Sequence, residues 1–173
     1  MSERTPRRLD AEALWQYALR ALGARAHSAG ELRRKLERRA ANAADVGGVL
    51  ARLKELGYLD DKTYAEAVAS WRLNGPGLGK ARVLSDLRKR FVAPGVAEKA
   101  VAQVYAEVDE TALIEAFLRR KYRGKALDTF LAEPKNLASA YRRLRVAGFG
   151  SASSLRVLKR FAREPELLDG LEE

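Results

Sequence analysis

The apolar residues of this chain recur at three- and four-residue spacing, and this periodicity limits the chain to helical architectures. β-Branched residues are sparse, and no stretch alternates apolar and polar residues in the way that a half-buried strand would. Glycine and proline cluster in a few short stretches that mark breaks between helices: residues 73–79, 92–95, 132–136 and 147–151. The sequence therefore predicts an all-α fold without strands.

The helical pattern also repeats with an offset of about 50 residues. Equivalent apolar positions on the second helix of the three copies are Leu32 and Leu36, Val83 and Leu87, and Ala140 and Leu144. A helix before this one and a helix after it repeat as well, so each copy contains three helices. The alternative is a coincidence in a chain that is rich in alanine, leucine and arginine.

These repeats divide the chain into predicted segments. A flexible N-terminal segment, residues 1–10, precedes three-helix repeats at residues 11–58, 59–108 and 109–173. The third repeat carries roughly eight extra residues, which we place in a longer loop near residues 124–134. Short helices that each bury one apolar stripe are not stable alone, so the repeats should stack into an elongated molecule.

The joint between the first two repeats is the motif GYLDD, whose acidic pair stands out in a basic chain. Gly57 is predicted to end a helix in the left-handed conformation, with Tyr58 and Leu59 turning apolar surface back onto that helix. Asp60 or Asp61 is then predicted to cap the next helix and to place negative charge at its positive end. The pair therefore indicates a joint between helices rather than a catalytic site.

The second helix of the first repeat carries a local start signal and a basic face. Ser28, followed three residues later by Glu31, makes a capping box. Winding the helix at about 100° per residue places Arg34 and Arg38 nearly opposite its buried leucines. We expect these two arginines to face a partner.

Basic residues recur at the same place in each repeat. The candidate contact residues are Arg33, Arg34, Lys35, Arg38, Arg39, Lys80, Arg82, Arg88, Lys89, Arg90, Arg142, Arg143, Arg145, Arg156, Lys159 and Arg160. The 33 Lys and Arg residues outnumber the 23 Asp and Glu residues, and the net charge of +10 attracts anionic partners. A solvated helix face explains any one cluster, but three clusters in register favour an extended footprint for nucleic acid or for a protein filament on nucleic acid.

The residues that common catalytic and metal sites require are missing. The absence of cysteine excludes a disulfide framework, a thiolate nucleophile and every zinc site that needs sulfur. The single histidine, His27, is interpreted as a junction residue. We expect neither an enzyme nor a cofactor. Four aromatic residues are interpreted as core rather than as base-stacking platforms: Trp15, Tyr17, Tyr64 and Trp71.

No stretch is apolar enough for the core of a signal peptide or for the roughly 20 residues of a membrane span. We therefore expect a soluble, cytoplasmic protein that makes no membrane contact. A monomer is expected.

The run ELRRKLERR, followed by VLARLKELGYLDDKTYAEAVASWRLNGPGLGKARVLSDLRKR, closely resembles the RecX regulatory proteins. That family characteristically carries an ELxxKL helix, an LxxLGYLDD joint and a glycine-bounded basic helix. The resemblance covers about residues 11–163 and is most specific at residues 49–90. It implies three tandem three-helix repeats in a curved, extended arrangement, without cofactor. Family members often have a Lys-Gly ending where this chain has Arg90 and Phe91.

The resemblance also implies a partner and an activity. RecX proteins bind the RecA recombinase along the helical groove of the filament that RecA forms on single-stranded DNA. They restrain filament growth, ATP hydrolysis and strand exchange, so this chain is expected to regulate recombination and the SOS response.

Two alternatives remain open from the residues alone. One is a stand-alone basic helical protein that binds single- or double-stranded DNA, and the other is a catalytic protein of unfamiliar type. Three-helix units also suggest helix-turn-helix modules. However, the second helices lack a convincing set of Asn, Gln and Arg for reading bases, which disfavours sequence-specific binding.

Overall fold

The computed structural model describes residues 8–162, and α-helices dominate this stretch. The predictions for residues 1–7 and 163–173 lie outside the described residues. The helices are α1 (Ala11–Ala24), α2 (Ala29–Glu37), α3 (Ala44–Glu55), α4 (Asp61–Asn74), α5 (Lys80–Lys89), α6 (Pro94–Val104), α7 (Glu110–Lys121), α8 (Leu127–Leu131), α9 (Pro134–Val146) and α10 (Ser151–Lys159). Within residues 8–162 the only β-structure is an isolated bridge, so the all-α prediction is confirmed.

The chain forms two compact units, each with its own core. Of the described residues, the first compact unit contains 8–67 and 87–100, and the second contains 68–86 and 101–162. Each unit is considered separately below.

In the first compact unit, helices α1, α2 and α3 pack against one another. Their shared core consists of Leu14, Trp15, Ala18, Leu32, Leu36, Ala40, Val46, Val49, Leu50, Leu53 and Leu59. The chain before α1 joins this unit through its backbone, because the Leu9 amide donates to the Arg39 carbonyl at 2.7 Å. The Ala41 amide in turn donates to the Leu9 carbonyl at 2.7 Å. Residue 9, which the sequence assigned to a flexible segment, thus has defined partners.

The joint after α3 has the predicted geometry with one exception. Gly57 adopts a φ of 74°, and the Tyr58 amide donates back to the Leu53 carbonyl at 2.9 Å. Leu59 is buried, but Tyr58 is 58% exposed, so its predicted return onto the helix is wrong. Asp60 caps α4, since its carboxylate accepts the Lys62 amide at 2.9 Å and the Thr63 hydroxyl at 2.6 Å.

In the second compact unit, α7 and α9 pack against α10, and α8 packs on α9. The core comprises Ile114, Leu118, Leu131, Leu137, Ala140, Tyr141, Leu144, Ala147, Phe149, Leu155, Val157 and Leu158. The short helix α8 occupies the segment that the sequence assigned to a longer loop. It forms there because Leu131 becomes fully buried, and the Asn136 amide group donates to the Phe130 carbonyl at 3.0 Å.

The four aromatic residues predicted as core have different environments. Trp15 and Tyr64 are buried and Tyr17 is partly buried, but Trp71 is 62% exposed. Trp71 lies seven residues after Tyr64 on α4, so helical periodicity places both on the same side of the helix. Periodicity gives the angle around a helix but not whether a neighbour covers that angle. The core assignment of Trp71 is therefore wrong.

Candidate functional site

The sixteen predicted contact residues differ in whether other side chains or carbonyls of the protein engage them. Within the described part of the chain, eight of them are exposed and form no ion pair, side-chain hydrogen bond or ring contact: Arg33, Arg38, Lys80, Arg88, Lys89, Arg142, Arg143 and Arg156. Lys159 is also exposed, and Lys35 is partly buried. The engaged residues are Arg34, Arg39, Arg82, Arg90, Arg145 and Arg160. The eight residues named first can meet a partner without losing an internal contact.

Helix α2 separates these two roles within a few residues. Arg34 and Arg38 are both exposed, as the helical winding predicts. The Arg34 guanidinium nevertheless lies over the Phe91 ring, 4.0 Å from its centroid. Arg38 and Arg33 are therefore better probes of a partner surface than Arg34.

The N-terminus of α2 meets the turn after α5 at what we call the first junction, formed by Ser28, Gly30, Glu31, Arg90 and Phe91. The predicted capping box is present: the Glu31 amide donates to the Ser28 hydroxyl at 3.0 Å, and the Ser28 amide donates to the Glu31 carboxylate. The same hydroxyl donates to the Arg90 carbonyl. Phe91 has a φ of 57°, the left-handed region that favours glycine. A Cβ on Gly30 would overlap the Phe91 backbone, so the helix must have glycine here.

Glu31 is the centre of a polar network at this junction. Its carboxylate pairs with Arg25 at 3.3 Å and accepts the Tyr64 hydroxyl at 3.2 Å. Arg90 in turn donates to the Tyr64 hydroxyl oxygen at 2.8 Å. Burial opposes ionisation, but the hydrogen bond and charge of Arg25, with the Ser28 amide, lower the pKa of Glu31 below its ordinary value. The network therefore favours an ionised Glu31.

His27 is buried beside this network, at the predicted junction position. Its Nδ1 atom lies 3.6 Å from the Glu31 carboxylate. Burial lowers the pKa of His27 below its ordinary value of 6.5, and the Arg25 charge lowers it further, against the opposite effect of Glu31. A neutral imidazole is therefore the form that fits the folded protein.

The N-terminus of α5 meets the turn after α9 at what we call the second junction, formed by Gly79, Ala81, Arg82, Ala147 and Gly148. Two backbone hydrogen bonds close it: the Gly79 amide donates to the Ala147 carbonyl at 2.9 Å, and the Ala81 amide donates to the Gly148 carbonyl at 3.2 Å. Gly148 has a φ of 89°, and a Cβ there would overlap the Arg82 backbone. A Cβ on Gly79 would overlap the Gly148 backbone.

The Arg82 side chain is held by an acidic neighbour in the same unit. Its Nε lies 3.3 Å from one carboxylate oxygen of buried Asp86, and Arg72 binds the other oxygen at 2.8 Å. Nearby, the Tyr105 hydroxyl donates to the Leu78 carbonyl at 2.6 Å, and burial raises the pKa of Tyr105 to about 12. These contacts fix the start of α5.

A groove of about 470 Å³ lies beside the second junction, between α5, α7 and α9. Its lining residues are Leu78, Arg82, Phe117, Lys121, Ser139, Arg142, Arg143, Val146 and Ala147. The structure thus brings together three predicted contact residues, Arg82, Arg142 and Arg143. Sequence reasoning missed Lys121, whose spacing of four residues from Phe117 on α7 was the available signal.

Two further searches of residues 8–162 returned nothing. No helix in that range combines the length and apolarity that crossing a membrane requires. No three acidic or histidine side chains there lie close enough together to hold a metal ion.

Comparison with known proteins identifies the family. A family model described as RecX, first three-helix domain, matches residues 15–53. The regulatory protein RecX of Trichlorobacter lovleyi is 35% identical over 133 residues, which cover 76% of this chain and 80% of that protein. The chain belongs to the RecX family. The resemblance carried by the ELxxKL and GYLDD motifs is therefore confirmed, and the family is one of regulatory proteins.

Other RecX proteins differ in length or are more distant. The regulatory protein RecX of Deinococcus radiodurans is 38% identical over 141 residues, covering 82% of this chain but 64% of that protein. The chain thus spans less than two thirds of that relative. The crystal structure of RecX from Lactobacillus salivarius matches with a TM-score of 0.68 at 18% identity, over 87% of this chain and 96% of that one. This last similarity shows a common fold.

Proposed function

We propose that this chain binds the RecA filament on single-stranded DNA and inhibits filament growth, ATP hydrolysis and strand exchange. The observation that carries the proposal is its membership of the RecX family, shown by the match to the first three-helix domain and by relatives matched over most of the chain. The protein acts as a monomer in the cytoplasm and uses no cofactor of its own.

The distribution of charge supports a filamentous, anionic partner. Each compact unit presents exposed basic side chains: Arg33, Arg38, Arg88 and Lys89 in the first, and Lys80, Arg142, Arg143 and Arg156 in the second. Two weak contacts carried by one chain bind a repetitive partner more tightly than either contact alone. DNA phosphates and acidic protein surfaces both attract such side chains.

A biochemical test is a titration of the protein into RecA on single-stranded DNA while ATP hydrolysis is followed. We expect hydrolysis to fall as the protein is added. Unchanged hydrolysis at saturating amounts would overturn the proposal.

A matched pair of variants examines the role of α2. Arg33→Glu combined with Arg38→Glu reverses two exposed charges without disturbing the Arg34 contact with Phe91, so weaker inhibition is expected. Arg20→Glu combined with Lys54→Glu makes the same change of net charge at exposed positions on α1 and α3. Equal loss of inhibition in both variants would mean that net charge, and not the α2 surface, is responsible.

A second candidate function is stand-alone DNA binding, which the net charge of +10 favours. It requires tight binding to naked DNA without RecA, with an affinity that falls steeply as salt rises. Binding to single- and double-stranded DNA at several salt concentrations distinguishes the two functions. Inhibition of RecA under salt conditions that abolish binding to naked DNA would exclude the second.

A further inference from the structure

The groove between α5, α7 and α9 combines an apolar floor with a basic rim inside the second compact unit. The floor consists of Leu78, Phe117, Val146 and Ala147, and the rim of Arg82, Lys121, Arg142 and Arg143, with Ser139 beside them. No acidic residue is among the described residues that line the groove. A ligand for this groove must therefore be both negatively charged and partly apolar.

Most of the positive charge on the rim has no acidic partner among the described residues. Arg82 is paired with Asp86, so its charge is already balanced. Lys121, Arg142 and Arg143 are exposed, and none of the three forms an ion pair within residues 8–162. Two of these three side chains are arginines, whose planar donor groups suit carboxylates and phosphates. The rim thus offers about three free positive charges to an anion.

The floor leaves a large aliphatic side chain in water. Val146 is 68% exposed, whereas Leu78 and Phe117, which line the same groove, are partly buried. Apolar surface that is rimmed by polar residues commonly marks an interaction site. The volume of about 470 Å³ is within the range of ligand pockets, which suits one bulky side chain with its neighbours.

The aromatic content of the floor separates a peptide from nucleic acid. Bases bind single-strand sites by stacking on open aromatic faces. Phe117, the one aromatic lining residue, packs edge-on against Phe149 with centroids 5.5 Å apart, and the Arg120 guanidinium lies 5.7 Å from its centroid. The rest of the floor is aliphatic, which suits a leucine or phenylalanine side chain better than a base.

We propose that this groove binds an acidic peptide segment of a protein partner, with one large apolar side chain on the floor and flanking carboxylates on the rim. The inference deepens the proposed function and rests on it for the identity of the partner. The chemistry of the groove itself is independent of that identity.

The test uses a labelled peptide in which one phenylalanine is flanked by glutamates on both sides, and fluorescence anisotropy with the full chain. We expect binding, and an affinity at least about tenfold lower for the same peptide with alanine in place of phenylalanine. Replacing the glutamates by glutamine should weaken binding similarly. An unlabelled oligothymidine serves as the nucleic-acid competitor.

Variants locate the site. Val146→Asp places a negative charge on the floor at an exposed position. Arg142→Glu with Arg143→Glu reverses the charge of two rim residues. Each change should lower the affinity for the peptide at least about tenfold. Leu56→Asp, at another exposed apolar residue, and Arg20→Glu with Lys54→Glu are the matched controls and should leave peptide binding intact. Helical circular dichroism confirms that each variant is folded.

Three results would overturn the inference. The first is that the wild-type chain does not bind the peptide at all, and the second is that the control variants lose as much peptide binding as the groove variants. The third is that oligothymidine displaces the peptide and that Val146→Asp weakens the binding of oligothymidine. A chain that inhibits RecA but does not bind the peptide overturns the inference and leaves the proposed function standing. If the chain binds the peptide and Val146→Asp weakens that binding, but RecA-dependent ATP hydrolysis is unchanged, the proposed function is overturned and the assignment of the groove as a peptide site is supported.

Discussion

Each of the two junctions brings the start of a helix close to the backbone of a turn, but the residues that permit this approach differ. In each, the start of one helix meets the turn that follows another: α2 meets the turn after α5, and α5 meets the turn after α9. The turn residue that comes two positions after the helix has a positive φ in both cases, 57° for Phe91 and 89° for Gly148. Such close approach needs a glycine on at least one side.

The positions that supply glycine differ between the junctions. At the first junction Gly30 on the helix leaves room for the backbone of Phe91. At the second, both the turn residue Gly148 and the residue before the helix, Gly79, are glycine. The RecX resemblance places glycine where this chain has Phe91. The structure shows how the chain tolerates the change, because Phe91 accepts a strained φ and its ring packs under Arg34.

The polar contacts differ in the same way. Ser28 precedes α2 and bonds the opposite turn with its side chain, while Gly79 precedes α5 and bonds the opposite turn with its backbone. Side-chain contacts can be changed by one substitution or by protonation, but backbone contacts respond mainly to steric change. The stability of the first junction should therefore respond to side-chain substitution and protonation as well as to added volume at Gly30, whereas the second should respond mainly to added volume.

Gly148→Ala tests the second junction and should have the largest effect. The new Cβ would overlap the Arg82 backbone at a φ of 89°, so we expect a loss of about 3 kcal/mol or more in the free energy of unfolding. Urea unfolding measures it. Gly47→Ala on α3 is the control, because no atom lies within 4 Å of its added Cβ and a gain of up to about 1 kcal/mol is expected. Equal behaviour of the two variants would refute the steric account.

Ser28→Ala tests the first junction and should have a smaller effect. It removes the helix cap and leaves the Arg90 carbonyl without its hydroxyl donor, for an expected loss of about 2 kcal/mol. Ser153→Ala on α10 is the control and should change stability little. A Ser28→Ala protein as stable as the wild type would mean that side chains do not hold this junction.

Mild acidification should have the smallest effect and should act through the first junction. The folded protein lowers the pKa of His27, so the unfolded chain binds a proton first and stability falls as pH drops below about 6.5. Glu31, whose pKa is also lowered, adds a further loss below about pH 4.5. The chain has one histidine, so the loss of stability in the upper part of this pH range is assigned to His27.

The corresponding measurement is the thermal midpoint between about pH 7.5 and 5.5, in the wild type and in His27→Gln. The wild-type midpoint should fall over this range, and the variant should show a smaller fall whatever its absolute stability. The same slope in both proteins would contradict the assigned role of His27.

The contrast between the junctions also explains what sequence reasoning could find. The Ser28 capping box and the Gly57 helix end were predicted correctly, because each rests on residues a few positions apart. The left-handed φ of Phe91 and the exposure of Trp71 were not predicted. Both depend on which distant residues lie opposite, and helical periodicity carries no such information.

The same limit on prediction from local sequence applies to the candidate site. Clustering of arginine along the chain made Arg142 and Arg143 candidate contact residues. The structure shows that both are exposed, and their contact with a partner stays a prediction. Clustering could not predict that Arg34 stacks on Phe91, that Arg82 is paired with Asp86, or that Lys121 joins the groove. These pairings are made by folding, and they divide residues of equal charge into free and engaged ones.

The length of RecA filaments on single-stranded DNA, measured by electron microscopy with and without this protein, tests the proposed function most directly. RecA alone should form long filaments, and filaments should be markedly shorter or fewer when the wild-type protein is present. The Arg33→Glu, Arg38→Glu variant should shorten them less than the Arg20→Glu, Lys54→Glu control does. Filaments of unchanged length and number at saturating wild-type protein would contradict the account.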